Sequence, residues 1–172
     1  MDLIGKYVVQ SSEWAEQYFE IIAARISDTG LSVRKRVVKL LRDMFSVAEN
    51  KDLRISICRI LTQFSQDEDD GIKDLALKSL SEILYPSSFV PDETAALLVE
   101  MLELKGFEQP LEHALEGVSC RVQPCANSQI SKMFGDAGHK DRFARTIDSL
   151  INSLSEGTSI ESFVRRVSSS KS

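Results

Sequence analysis

Asp28-Thr-Gly-Leu-Ser-Val-Arg-Lys-Arg-Val-Val-Lys-Leu-Leu-Arg-Asp-Met-Phe45 decides the fold, because the chain repeats it. The stretch Asp67-Glu-Asp-Asp-Gly-Ile-Lys-Asp-Leu-Ala-Leu-Lys-Ser-Leu-Ser-Glu-Ile-Leu84 aligns with it without gaps at an offset of 39. Asp28 falls on Asp67, Val33 on Ile72, Arg34 on Lys73, Val37 on Ala76, Val38 on Leu77 and Leu41 on Leu80. Met44 and Phe45 fall on Ile83 and Leu84. Each copy is an acidic turn, a β-branched residue, a base, and then apolar residues three and four apart. That spacing places the apolar residues on one face of a helix.

A second helix precedes each copy. Residues 12–27 carry Trp14, Tyr18, Ile21, Ile22 and Ile26 at mostly helical spacing, and residues 51–65 carry Ile57, Ile60, Leu61 and Phe64. The unit is therefore helix, short acidic turn, helix, with a period near that of HEAT repeats. The expected fold is all-α: a HEAT-repeat α-solenoid, a right-handed superhelix of antiparallel helix pairs. Residues 1–86 hold two regular units, which need further units to cover both faces. Residues 87–167 read as less regular helical repeats, with helices over 92–104, 108–117, 128–134, 140–155 and 158–167. A loop is expected near 118–127, and a disordered tail over 168–172.

About 42% apolar and 27% charged residues are ordinary globular composition, enough to bury a core. No apolar stretch approaches a membrane span of about 20 residues, and the first residues lack a secretory pattern. Cys58, Cys120 and Cys125 make an odd number with no disulfide framework, which fits a reducing compartment. A zinc site drawn from Cys120, Cys125, His113 and His139 matches no standard finger or ribbon spacing, so no metal and no cofactor are expected. The acidic run Glu68-Asp69-Asp70 compensates the dipole of the helix that follows. GxxxxGK[ST], GxGxxG, HExxH and GxSxG are all missing, so an enzyme is not expected.

The basic run of the deciding stretch divides on a helical wheel. With Arg34 at zero, its apolar residues span from about 240° through zero to about 40° at about 100° per residue. Arg34 lies inside that arc and is read as structural, bonding the acidic turn at Asp28 or an acid of the neighbouring repeat. Asp67 and Lys73, the repeat counterparts of Asp28 and Arg34, join them in that structural set. Lys35, Lys39 and Arg42 cluster near about 80–140°, with Arg36 off near about 200°. These four are the candidates for binding phosphates or an acidic partner, and a plain solvated face is the competing reading. A net charge of −5 argues against polyanion binding by the whole chain, though not against a local patch. Without interleaved aromatics, any contact with nucleic acid runs through its backbone.

Residues 28–43, DTGLSVRKRVVKLLRD, resemble one family closely. They are similar to the DTG(I/L/V)SVRKRVIK(I/L)LRD stretch of the cohesin loaders, the Nipped-B-like (adherin) family, also called sister chromatid cohesion protein 2. Gly5-Lys6-Tyr7-Val8 with Glu16-Gln17-Tyr18-Phe19 resembles the family's lead-in, and Asp67 to Leu75 its NDEEGIKKLV motif. The resemblance covers roughly residues 3–86; beyond residue 90 no family motif is found, and residues 118–140 read as an insertion.

The resemblance implies a segment from the C-terminal half of a hook-shaped solenoid. Such a protein engages the ATPase heads and kleisin of cohesin, contacts duplex DNA, stimulates cohesin's ATP hydrolysis, and promotes loading and loop extrusion. It pairs through its N-terminal part with a small helical-repeat partner and has no catalytic residues of its own. The implied place is nuclear and chromatin-associated. A generic HEAT adaptor that binds a peptide or protein on its concave face is the alternative, and the SVRKRVVKLLRD string speaks against it.

Overall fold

The structure, a computed structural model, describes residues 2–85, 91–103, 107–122 and 145–146. Every regular element among them is a helix. They are α1 (Asp2–Val8), α2 (Ser12–Ala23), α3 (Leu31–Val47), α4 (Lys51–Phe64), α5 (Asp70–Leu84), α6 (Pro91–Glu103) and α7 (Glu108–Val122). The chain divides into two compact units, Met1–Ile83 and Leu84–Ser172.

In the first unit α1 packs on α2, α2 on α3, and α3 on α4. The connections are short, which forces successive helices to fold back on one another. Side chains close the helix starts. Ser11 Oγ accepts from the Trp14 amide at 3.3 Å, and Asn50 Oδ1 accepts from the Asp52 amide at 2.9 Å. Each satisfies an amide that the helix itself leaves unbonded. The repeat also recurs in its turn chemistry. Asp28 Oδ1 accepts from the Gly30 amide and Asp67 Oδ1 from the Asp69 amide, both at 2.9 Å, so the aligned aspartates build the same side-chain turn.

The core of this unit is the expected apolar face. Val37, Val38, Leu41 and Met44 of α3, Ile57 and Leu61 of α4, and Ile72 and Ala76 of α5 are fully buried. Thr62 Oγ1 donates to the Cys58 carbonyl at 2.9 Å and Ser65 Oγ to the Thr62 carbonyl at 2.6 Å, so these buried hydroxyls are satisfied.

Helix α1 is absent from the sequence reading, since seven residues around a glycine carry little periodicity. Gly5 has a packing reason: a Cβ there would come 2.9 Å from Leu40 Cδ2 of α3. Helix α2 ends at Ala23 rather than at 27. Its buried face is Ala15, Phe19 and Ile22, whereas Trp14 and Ile21, part of its apolar spacing, are 41% and 55% exposed. The apolar residues of α2 occupy a wider arc than α3 can cover.

In the second unit Thr94 Oγ1 of α6 donates to the Leu84 carbonyl at 3.0 Å, a bond that satisfies this buried hydroxyl. Helix α7 runs to Val122, so residues 118–122 are helix and not loop. Leu111, Ala114, Leu115 and Val118 are all buried, and this stripe carries the helix past Gly117. Burial holds the Tyr85 phenol above its ordinary pKa, opposed by a hydrogen bond with Thr146. The rest of the expected loop, the helices over 128–134, 140–155 and 158–167, the tail over 168–172, and Cys125 and His139 lie outside the described residues, save for 145–146.

Cys58 is completely buried, and burial pushes its thiol up from 9.0 to about 12, with nearby Arg54 pulling the other way. The fold therefore favours the neutral thiol. That contribution is complete below the unfolded value of 9.0 and is lost as pH rises toward about 12. In a Cys120→Ser/Cys125→Ser background, Cys58 is expected to resist Ellman's reagent at neutral pH and to react once denaturant is added. Rapid labelling of the native chain would place the thiol outside the core.

Candidate functional site on the basic helix

Helix α3 presents its apolar residues to the core and carries Arg34, Lys35, Arg36, Lys39 and Arg42 around them. The structure gives these five cations different surroundings.

Arg34 spans the two acidic turns of the repeat. Its Nη1 donates to the Asp28 carbonyl at 2.7 Å. Its Nε and Nη2 donate to Asp67 Oδ2 and Oδ1 at 3.0 and 3.1 Å. Both side chains are largely buried, 15% and 11% exposed. A planar guanidinium offers the fork that a carboxylate accepts in two places, and partial desolvation strengthens the pair. Asp67 Oδ1 also takes the Asp69 amide, so the carboxylate that receives Arg34 shapes the turn leading into α5. Asp28 uses its side chain for its own turn and for Arg25 at 3.8 Å, leaving its backbone oxygen for Arg34. Lys73, the repeat counterpart of Arg34, reaches the exposed Asp70 at 3.0 Å. A surface pair of this kind contributes little.

Two members of the expected stripe also meet acids. Lys35 Nζ lies 3.4 Å from Asp69 Oδ1. It sits over Gly71, where a Cβ would come 2.9 Å from the ammonium. Arg42 donates to Asp43 Oδ1 at 2.8 Å through Nη2 and reaches Glu82 Oε2 at 3.4 Å through Nη1. The hydrogen bond to Asp43 chiefly raises the Arg42 pKa; burial opposes it, and the charges of Asp43 and Glu82 add to it. Lys35 and Arg42 are thus not bare charges on a solvent face. Lys39, between them on the wheel, is exposed and has no ion pair among the described residues. Arg36 is exposed on the other flank.

The resulting ladder joins α3 to the acidic turn and helix of the next unit, with Arg34 on Asp67, Lys35 on Asp69 and Arg42 on Glu82. Partners ascend together along both helices, so α3 and α5 run in the same sense, as equivalent helices of successive repeats do. Sequence reasoning missed Asp69, Asp43 and Glu82. For Asp69 and Glu82 the signal was the repeat itself, a base on α3 meeting an acid of the next repeat, whereas Asp43 is simply the neighbour of Arg42 in the chain. Among the described residues no group of three His, Cys, Asp or Glu is placed to hold a metal ion, and no helix is long and apolar enough to cross a membrane.

No family model matches the chain. It is similar over about half its length to several curated proteins, three of them as follows. Nipped-B-like protein A of Danio rerio is 34% identical over 85 residues, 49% of this chain and 4% of that protein. Nipped-B protein of Drosophila melanogaster is 35% identical over 91 residues, 53% and 4%. Sister chromatid cohesion protein mis4 of Schizosaccharomyces pombe is 32% identical over 85 residues, 49% and 5%. Among solved structures, the C-terminal fragment of the Chaetomium thermophilum cohesin loader SCC2 matches with a TM-score of 0.62 at 25% identity. That match covers 89% of this chain and 11% of the fragment. The chain therefore spans only a few per cent of the length of these curated relatives.

Replacing Arg34 by Ala leaves the Asp67 carboxylate unpaired where water is scarce, at an expected cost of about 2–3 kcal/mol. Arg34→Lys should recover only part of it, because an ammonium lacks the fork. Urea denaturation of the three proteins measures both. A lysine variant as stable as the parent would refute the two-point bond.

Proposed function

From a chain related over about half its length to the Nipped-B-like cohesin loaders, we propose a non-catalytic segment of a loader scaffold that holds cohesin on DNA. The observation that carries this is the identity of about a third shared with relatives from fish, insect and yeast, in a chain whose helices match the fungal loader fragment. In this reading the segment contributes to binding cohesin's ATPase heads and kleisin, to stimulation of its ATP hydrolysis, and to loading and loop extrusion on chromatin in the nucleus. The small helical-repeat partner binds elsewhere in the full protein. The segment supplies rigidity and surface, and the chemistry belongs to cohesin.

The ion pairs narrow the DNA-facing part of the proposal. Lys35 and Arg42 spend charge on Asp69, Asp43 and Glu82, so Lys39 is the main phosphate contact, with the exposed Arg36 and the half-exposed Lys35 beside it. A contact of this kind positions DNA without reading its sequence.

Two measurements test the reading. A pull-down of this chain against cohesin heads with kleisin should capture the complex, and failure to do so would remove cohesin as a partner of this segment. Lys39→Glu should weaken duplex binding and flatten the salt dependence by about one unit of log–log slope, while Arg59→Glu on exposed α4 serves as control. An unchanged slope in the Lys39 variant would take α3 out of DNA contact. This substitution leaves the α3–α5 ladder intact, which a joint change of Lys35, Lys39 and Arg42 would not.

A further inference from the structure

Of the three rungs between α3 and α5, the one at Lys35 is the easiest to open. Arg34 is largely buried against Asp67 in a two-point bond. Arg42 is held on its own helix by Asp43 at 2.8 Å. Lys35 Nζ lies 3.4 Å from Asp69 Oδ1, and both side chains are part-exposed, 44% and 29%. A tight charge-assisted hydrogen bond is shorter, about 2.7–2.9 Å. Asp69 does not depend on the lysine. Its Oδ1 also accepts from the Ile72 amide at 3.0 Å, a bond at the start of α5 that persists when the ammonium leaves.

Gly71 makes the seat for that ammonium. A Cβ there would come 2.9 Å from Lys35 Nζ and 3.4 Å from its Cε, so the bare backbone lets the lysine lie across the first turn of α5. Both sides of α3 are occupied. Leu40 packs on Gly5 of α1, and Lys35 and Arg42 meet α5. On the helical wheel the exposed Arg36 and Lys39 fall on the arc between those two contacts. Lys35 and Lys39 are one turn apart at its α5 edge, so a phosphate backbone that reaches Lys39 passes within reach of the Lys35 ammonium.

Resting on the DNA-facing reading of α3, we propose that Asp69 and Gly71 form a holding seat for Lys35, which leaves it for a phosphate when duplex DNA binds. The seat thereby restrains the affinity of the basic helix for DNA. By linkage, a pair that must open on binding weakens the duplex complex by the same factor that it stabilises the seam of the unbound chain. Duplex binding in turn loosens one rung between the two repeats and leaves the Arg34–Asp67 bond in place.

Two substitutions empty the seat from opposite directions. Asp69→Asn removes its charge and keeps the bond to the Ile72 amide, since Asn caps a helix as well as Asp does. Gly71→Ala fills the seat without changing any charge, and Ala suits a helix better than Gly. With the full 172-residue chain, fluorescence anisotropy of a labelled duplex should show about two- to fivefold tighter binding for Asp69→Asn. Gly71→Ala should gain in the same direction. Both gains should vanish in a Lys35→Gln background, and Lys35→Gln alone should flatten the log–log salt slope by about one unit. A gain that survives Lys35→Gln, or one in Asp69→Asn with none in Gly71→Ala, would reduce the effect to bulk charge and overturn the proposal. So would an unchanged slope in Lys35→Gln. Duplex binding that needs Lys39 but ignores both seat variants would overturn the seat and leave the DNA reading standing, whereas a parent chain that binds no duplex would overturn both.

Discussion

The first unit depends on one guanidinium. Arg34 leaves the basic helix within its apolar arc, where an unpaired charge would cost several kcal/mol in lost hydration. It avoids that cost by bonding a carbonyl of one acidic turn and both carboxylate oxygens of the next. Because Asp67 also binds the Asp69 amide, the position of Arg34 is coupled to the start of α5. A hydrophobic face alone tolerates sliding by a fraction of a turn, whereas a forked pair does not. The pair therefore sets the register between one repeat unit and the next.

The same logic changes the meaning of the positive charge on α3. A run of cations on a helix suggests a surface for phosphates, but here the neighbouring unit supplies Asp69 and Glu82 to two of them. These pairs are part-exposed and individually weak. Their collective effect is electrostatic: a cation beside its own anion projects little field beyond the Debye length, about 8 Å in physiological salt. Lys39 keeps its field. In the proposed reading, the difference between a seam and a binding surface thus comes down to one exposed lysine rather than to the number of bases in the run.

A scaffold reading fits this division. Helix pairs stacked by apolar faces and cross-linked by charge make a stiff seam between one repeat and the next. The chain is similar over about half its length to sister chromatid cohesion protein mis4, and its fold to the cohesin loader SCC2 fragment.

Much of this was legible in the residues themselves. The offset of 39, the apolar spacing and the aligned aspartates specify two helix pairs and their turns, because helix periodicity and side-chain turns are local properties. The wheel also separated Arg34 from Lys35, Lys39 and Arg42, since position on a helix is local as well. What periodicity could not supply was which apolar arc finds a neighbour, so it could not tell the exposed Trp14 and Ile21 from the buried Phe19 and Ile22. It also ended α7 at Gly117, although the buried Val118 carries that helix on. The sequence by itself determined the helices, the repeat and the candidate charges. Only the tertiary structure decided that Arg34 takes Asp67, that Lys35 and Arg42 are spoken for, and that Trp14 and Ile21 are exposed, because burial and ion pairing are set by residues a full repeat away.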